Sequence, residues 1–155
     1  MAILEIKKAG DPVLKKVCEP VGHIDKALRK MLDDMAETMK KADGVGLAAP
    51  QVGKPIRAVV IDAGEGLHEL INPEITFKEG TVKDTEGCLS VPEYYGEVQR
   101  FARVKVKFLN RWGKKQHLTA EGLLARCIQH ELDHLEGKLF IDVAENLRLR
   151  EENSK

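Results

Sequence analysis

Residues 130–134 read His-Glu-Leu-Asp-His, inside a stretch that is otherwise largely apolar. On a helix, positions i and i+4 share one face a turn apart, so His130 and His134 point the same way. Two imidazoles at that spacing can grip one metal ion, with the Glu131 carboxylate beside it to handle protons. Stepping about 100° per residue from His130, His134 falls near 40°, Cys127 near 60°, Leu123 near 20° and Glu131 near 100°. Leu124, Ile128, Leu132 and Leu135 gather between about 120° and 200°. One side is greasy, an adjacent side carries the histidines, and only the remainder reads as wet. The pattern predicts a largely buried helix over about 121–135, stopped by Gly137 and packed on a sheet.

The middle of the chain supplies candidate strands: 57–62 (RAVVID), 68–77 with a break at Asn72-Pro73, 81–89, 97–109 and 115–119. Val104, Val106 and Phe108 alternate with Lys105 and Lys107, the pattern of a half-buried strand. A first helix is expected over about 25–42. Asp25 would cap it, and Leu28, Met31, Leu32, Met35 and Met39 form one stripe. Gly44 lies where such a helix commonly ends. Residues 2–6 read as a short strand, Asp11-Pro12 as the start of a helical turn, and the charged tail from Asp142 as a surface helix. The fold class is α+β: mixed or antiparallel sheets around a central buried helix that carries the metal motif. One catalytic domain over 1–155 is expected. A chain of 155 residues can bury roughly 70% of its unfolded surface, enough for a proper core.

Two histidines hold a metal poorly, so a third ligand is required. Cys88, in Glu86-Gly-Cys-Leu-Ser90, is the first candidate. Cys127, a turn below His130, is the other, although it reads more naturally as pocket floor. A thiolate and two imidazoles would leave one coordination position open, the catalytic type of site. Three well-separated cysteines suit free thiols or metal ligands in a reducing compartment rather than a disulfide framework. With 25 basic and 25 acidic residues the chain lacks the basic excess of a general nucleic-acid binder. No apolar run approaches the ~20 residues of a membrane span, and the N-terminus lacks a signal pattern, so a cytoplasmic location is expected.

Residues 44–51 (GVGLAAPQ) form a glycine-rich segment whose spacing does not match a phosphate loop. Gly44 and Gly46 would leave backbone exposed to a ligand, and Gln51 offers an amide donor. Taken alone, the segment reads as a plain turn with a solvent-facing Gln.

The three segments GVGLAAPQ (44–51), EGCLS (86–90) and QHELDH (129–134) resemble the signature motifs of the peptide deformylases, in that family's order and at about its spacing. INPEI (71–75) also looks familial. The resemblance implies an enzyme that removes the N-formyl group from the initiator methionine of nascent chains. It implies one divalent metal held by Cys88, His130 and His134: Fe2+ in the cell, with Zn2+, Ni2+ or Co2+ able to replace it. It implies Glu131 as proton carrier, with the Gln51 amide and the Leu89 backbone N–H as oxyanion donors. N-formyl-Met peptides would lie along Val45–Gly46 as an added strand, in a pocket that also involves Gly44, Gly87, Leu123 and Cys127. A transient ribosome contact is left open; no nucleic-acid or membrane partner is expected. Three positions stand out. Arg126, where the family often has an apolar residue, is expected to pack its stem and leave its head in water. Tyr94-Tyr95 stands where some relatives carry a basic substrate-contacting residue. Asp133 is expected to pair with Arg100 and brace the motif helix.

Three alternatives carry distinct signatures. A zinc peptidase would draw its third ligand from Glu136, Glu145, Glu151 or Glu152. A non-catalytic metal module would lose nothing on Glu131→Gln. A Cys88 nucleophile would survive chelators. The deformylase reading requires the Cys88 sulfur within about 4 Å of the imidazole nitrogens, because metal–sulfur and metal–nitrogen bonds are each near 2 Å.

Overall fold

The computed structural model describes residues 2–150. Its organising element is β2 (Ala58–Asp62), the centre of the RAVVID run. Ala58 to Ile61 are fully buried, with Val59 and Ile61 in one apolar cluster and Ala58 and Val60 in another. A strand covered on both faces has no use for a polar alternation. It lies between β1 (Gly46–Ala48) and β3 (Leu67–Cys88), antiparallel to both. β4 (Val91–Leu109) returns along β3, and β5 (Lys115–Glu121) returns along β4. The path β1-β2-β3-β4-β5 is joined by β6 (Glu145–Leu149), which pairs with β4. These strand pairs are all antiparallel; the parallel contact is an isolated bridge between Glu19 and Ile56.

Helix α2 (Gly122–Leu135) covers one face of the sheet, packing Leu124, Ala125, Ile128, Leu132 and Leu135 with Val59, Ile61, Leu70, Val104 and Val106. Helix α1 (Lys26–Lys41) covers the other, packing Leu28, Leu32, Met35 and Met39 with Leu47, Ala58, Val60 and Ile71. Asp25 caps α1 by accepting the Leu28 N–H. Gly137 stops α2 for two reasons. Its φ is +77°, and a Cβ there would stand 2.5 Å from the Lys15 carbonyl oxygen. The α+β class and the central motif-bearing helix follow the sequence reading.

Several local expectations are corrected. The two runs 68–77 and 81–89 are one strand, β3. Asn72, at φ +52°, makes a bulge instead of a break, and its side chain bonds both the N–H and the C=O of Val21. Residues 2–6 are not a strand: the Ala2 and Leu4 amides donate to Asp34 and Thr38 of α1. The segment 44–51 is not a plain turn: Gly46–Ala48 form β1, followed by a 3-10 turn at Ala49–Val52. The tail is not a helix: Glu145–Leu149 form strand β6, and 151–155 lie outside the described residues. β5 pairs with β4 only from Arg103 onward, which leaves the earlier edge of β4 to β6, with Tyr94 opposite Leu149 and Tyr95 opposite Arg148. Pairing that edge satisfies backbone groups a helix would have left open. The wet side assigned to α2 is largely absent beyond its first turn. Arg126 and Gln129 are buried, and Gln129 bonds both backbone groups of Phe101, stitching α2 to β4. Among the described residues no helix is long and apolar enough to cross a membrane.

Candidate metal centre

Cys88 is the last residue of β3, where the chain turns through Leu89-Ser90 into β4. Its Sγ lies 3.4 Å from His134 Nε2. One donor atom from each of Cys88, His130 and His134 falls within 4.8 Å of the others. Cys127 is outside this cluster and lines the adjoining cavity instead. Glu136 pairs with Arg57, and Glu145 with Lys83, so neither joins the cluster; Glu151 and Glu152 lie outside the described residues.

His130 Nδ1 is 2.8 Å from Glu86 Oε1. A carboxylate on one ring nitrogen fixes that N–H and leaves the other nitrogen as a lone-pair donor. Burial disfavours a charge on His130, but the Cys88 sulfur and Glu86 outweigh it and raise its pKa well above the ordinary value. Burial, aided by His130, holds His134 well below it. A soft sulfur and two imidazoles, with His134 presenting Nε2 to that sulfur, make a donor set suited to a borderline divalent metal.

Glu86 is the hub that sequence reasoning missed. Its carboxylate accepts Arg100 Nε and Nη2, both at 2.9 Å, and Arg126 Nη1 at 2.7 Å, besides facing His130. Burial would raise its pKa, yet the His130 and Arg100 hydrogen bonds win and hold it at about 2. Arg100 Nη1 also donates to Asp133 at 2.6 Å, the brace that was expected. The Arg126 head is not in water. It is buried, donating to Glu86 and to the carbonyls of Val82 and Val98, because strands β3 and β4 close over it. The signal available in the sequence was the pairing itself: a basic residue on a buried helix requires a carboxylate, and Glu86 stands two residues from the candidate thiol.

Glu131 is 4% exposed, and its Oε1 has no hydrogen-bond partner. Burial is the main cause that pushes its pKa up to about 7, with Glu86 adding and His130 opposing. Gly46 makes room for it: a Cβ there would lie 3.0 Å from Glu131 Cγ and Cδ and closer still to Oε2. Gln51 is not solvent-facing but 1% exposed. Its Oε1 accepts the Ala48 N–H, so Nε2 must face Ser90 Oγ at 3.0 Å and Cys88 Sγ at 3.6 Å. Gly44, Val45, Gly46, Gln51, Gly87, Cys88, Leu89, Leu123, Cys127, His130 and Glu131 all line one cavity of about 520 Å3. A smaller cavity of about 430 Å3 lies behind α2, lined by Arg57, Arg100 and Asp133 among others, and touches none of the three donors.

The fold and this lining define the class: an α+β hydrolase with a Cys/His/His cluster able to hold a metal ion. Known proteins agree. The family model described as Polypeptide deformylase matches residues 3–150. A peptide deformylase of Carboxydothermus hydrogenoformans is 53% identical over 147 residues, covering 95% of this chain and 97% of its own. The crystal structure of peptide deformylase from Thermotoga maritima superposes with a TM-score of 0.92 at 46% identity, covering 94% of this chain and 99% of that one. A peptide deformylase from Synechococcus elongatus, in complex with actinonin, superposes at 0.89 and 46% identity, covering 92% and 79%. The chain belongs to the polypeptide deformylase family, metal-dependent enzymes that remove the N-formyl group from the initiator methionine of nascent chains.

Proposed function

We propose that this chain performs the family reaction with Cys88, His130 and His134 as metal ligands and Glu131 as the group that moves the proton. The observation that carries the reading is the convergence of a thiol from β3 and two imidazoles from α2 beside an unpartnered carboxylate. Cys88, His130 and His134 would hold one divalent ion, Fe2+ in the cell or Zn2+, Ni2+ or Co2+ in its place, which would supply Lewis acidity toward the formyl carbonyl and toward water. Glu131, its pKa raised to about 7 by burial, is poised to accept a proton from the attacking water and return it to the leaving amine. Gln51 Nε2, aimed by the Ala48–Oε1 bond, and the Leu89 N–H donate to the oxyanion. The peptide extends along Val45–Gly46, with Gly44 and Gly87 admitting its backbone and Leu123 and Cys127 contacting the methionine side chain. Formate and a free N-terminal methionine leave. The substrates are N-formyl-Met peptides of nascent chains met in the cytoplasm; a ribosome contact by the tail belongs to the same reading.

The test is formate release from formyl-Met-Ala-Ser by anaerobically prepared iron protein, beside Glu131→Gln. Retained metal with a loss of roughly a hundredfold or more supports the assignment. Cleavage of blocked internal peptides without formate, or activity that persists after chelation, refutes it.

A further inference from the structure

The cavity that holds the candidate centre is also lined by a residue of the C-terminal segment, far in sequence from the three motifs. Arg150, just beyond β6, lines it together with Thr85, Gly87 and Pro92. Several contacts set its position. Pairing of Leu149 with Tyr94 and of Arg148 with Tyr95 fixes the path of the backbone. The Arg150 N–H donates to the Glu93 carbonyl, which fixes where the side chain departs. The guanidinium then lies 5.8 Å from the centre of the Tyr95 ring, and Nη2 comes within 3.0 Å of where a Gly87 Cβ would stand. Gly87 is therefore the residue that lets this head approach the rim beside Cys88.

The other cationic head on this cavity is already neutralised, since Arg126 donates to Glu86 and two carbonyls. Arg150 is different: it is exposed, and it stacks on an aromatic face that pre-orients its planar donors. Asp43 lies on the same cavity next to Gly44, on the wall formed by the approach to β1. The rim is thus acidic near β1 and basic near the end of β3. A peptide seated with its formyl group at the centre must run out past one or both.

We propose that Arg150 is a specificity-determining residue for this chain, favouring N-formyl-Met peptides that carry a carboxylate beyond the methionine. The assignment rests on the deformylase reading of the site. The shared chemistry is a carboxylate held by a guanidinium fork, whether it comes from an Asp or Glu side chain or from the C-terminus of a short peptide. The pair is solvent-exposed, so the expected preference is modest: about threefold to tenfold in the specificity constant at low salt, and smaller at high salt.

The experiment compares formyl-Met-Ala-Glu-amide, its Gln and Lys counterparts, and formyl-Met-Ala-Gln with a free C-terminus. Formate release is measured for the wild type, Arg150→Gln, Arg150→Lys and Arg148→Gln. The expected result is a lower KM for the Glu peptide than for the Lys peptide, lost in Arg150→Gln and partly kept in Arg150→Lys. Arg148→Gln, which removes an equal charge from β6 outside the cavity, retains the preference. A gain for the free acid over its amide assigns the carboxylate to the C-terminus; a gain confined to the Glu peptide assigns it to the side chain. Formate released from all four peptides with no charge preference, or with the same preference in Arg150→Gln, overturns the role of Arg150 alone. A difference that appears in kcat together with a lower Tm reduces Arg150 to a structural contact and also overturns it. Absence of formate from every peptide overturns the deformylase reading, and the proposal with it.

Discussion

Gly46→Ala is the sharpest probe of how the site is built, because it adds one methyl group at a known distance from one carboxylate. The new Cβ would lie 3.0 Å from Glu131 Cγ and Cδ, where ordinary contact begins at 3.4 Å. Either the Glu131 head shifts by about 1 Å, or β1 lifts from α2; a 1 Å misplacement of a reacting group costs on the order of a hundredfold in rate. The fold loses less. Overpacking costs about 1–3 kcal/mol, and replacing a glycine recovers about 0.4–1 kcal/mol through the unfolded state. At about 2–4 °C per kcal/mol for a chain of this size, Tm falls by less than roughly 10 °C. The assay is formate release with metal content and Tm measured on the same preparations. The expected outcome is a kcat lowered about a hundredfold, full metal and a folded protein. The double variant Gly46→Ala/Glu131→Gln separates two routes. If the damage passes through Glu131, the alanine adds little to the loss already caused by Gln, since groups acting as one unit are not additive. A kcat within about threefold of wild type would refute the reasoning. So would an unshielded further hundredfold loss in the double variant, which would place the effect on the peptide seat instead.

Two other outcomes follow from the buried charges and thiols. Glu86→Gln leaves Arg100 and Arg126 short of their shared carboxylate inside the protein, a loss of about 3–5 kcal/mol, so Tm should drop on the order of 10 °C. Pairing it with Arg126→Leu should recover part of that loss, and a Tm within about 2 °C of wild type for Glu86→Gln alone would show that the hub is not the brace described. Burial pushes the Cys18 thiol up to about 11 and the Cys127 thiol up to about 12, so both stay protonated and unreactive at pH 8. A disulfide reagent should therefore titrate one thiol per chain in the native, chelated protein and three after denaturation; rapid reaction of all three in the native state would contradict the burial.

What could be read from the chain was whatever local periodicity encodes. The stripe Leu28–Met39 and the face Leu124–Leu135 each need only a turn-by-turn repeat, and both helices lie where that repeat places them. The i, i+4 histidines are of the same kind, and the cluster with Cys88 was reachable because a metal site limits which residue types can complete it. What escaped depends on partners distant in sequence. Asn72-Pro73 reads as a break, yet Val21 supplies hydrogen bonds that turn it into a bulge in a continuous strand. The mixed charges of the tail suit an exposed helix, yet the open edge of β4 rewards a strand. Arg126 reads as a snorkelling side chain until two strands close over it.

The Glu86 network explains why site and fold are difficult to alter separately. One carboxylate on β3 holds an arginine from β4, an arginine from α2 and the ring nitrogen of His130, while the β4 arginine reaches on to Asp133. The bonds that orient His130 are therefore the same bonds that lock α2 against the β3–β4 ribbon. An apolar replacement of the set could match it in stability, since buried ion pairs are seldom net stabilisers. It could not hold the His130 ring with one nitrogen occupied and the other free. Retaining a desolvated, costly set of charges inside the core makes physical sense only if ring orientation is what the network secures. Removal of Glu86 should accordingly lower metal affinity as well as Tm.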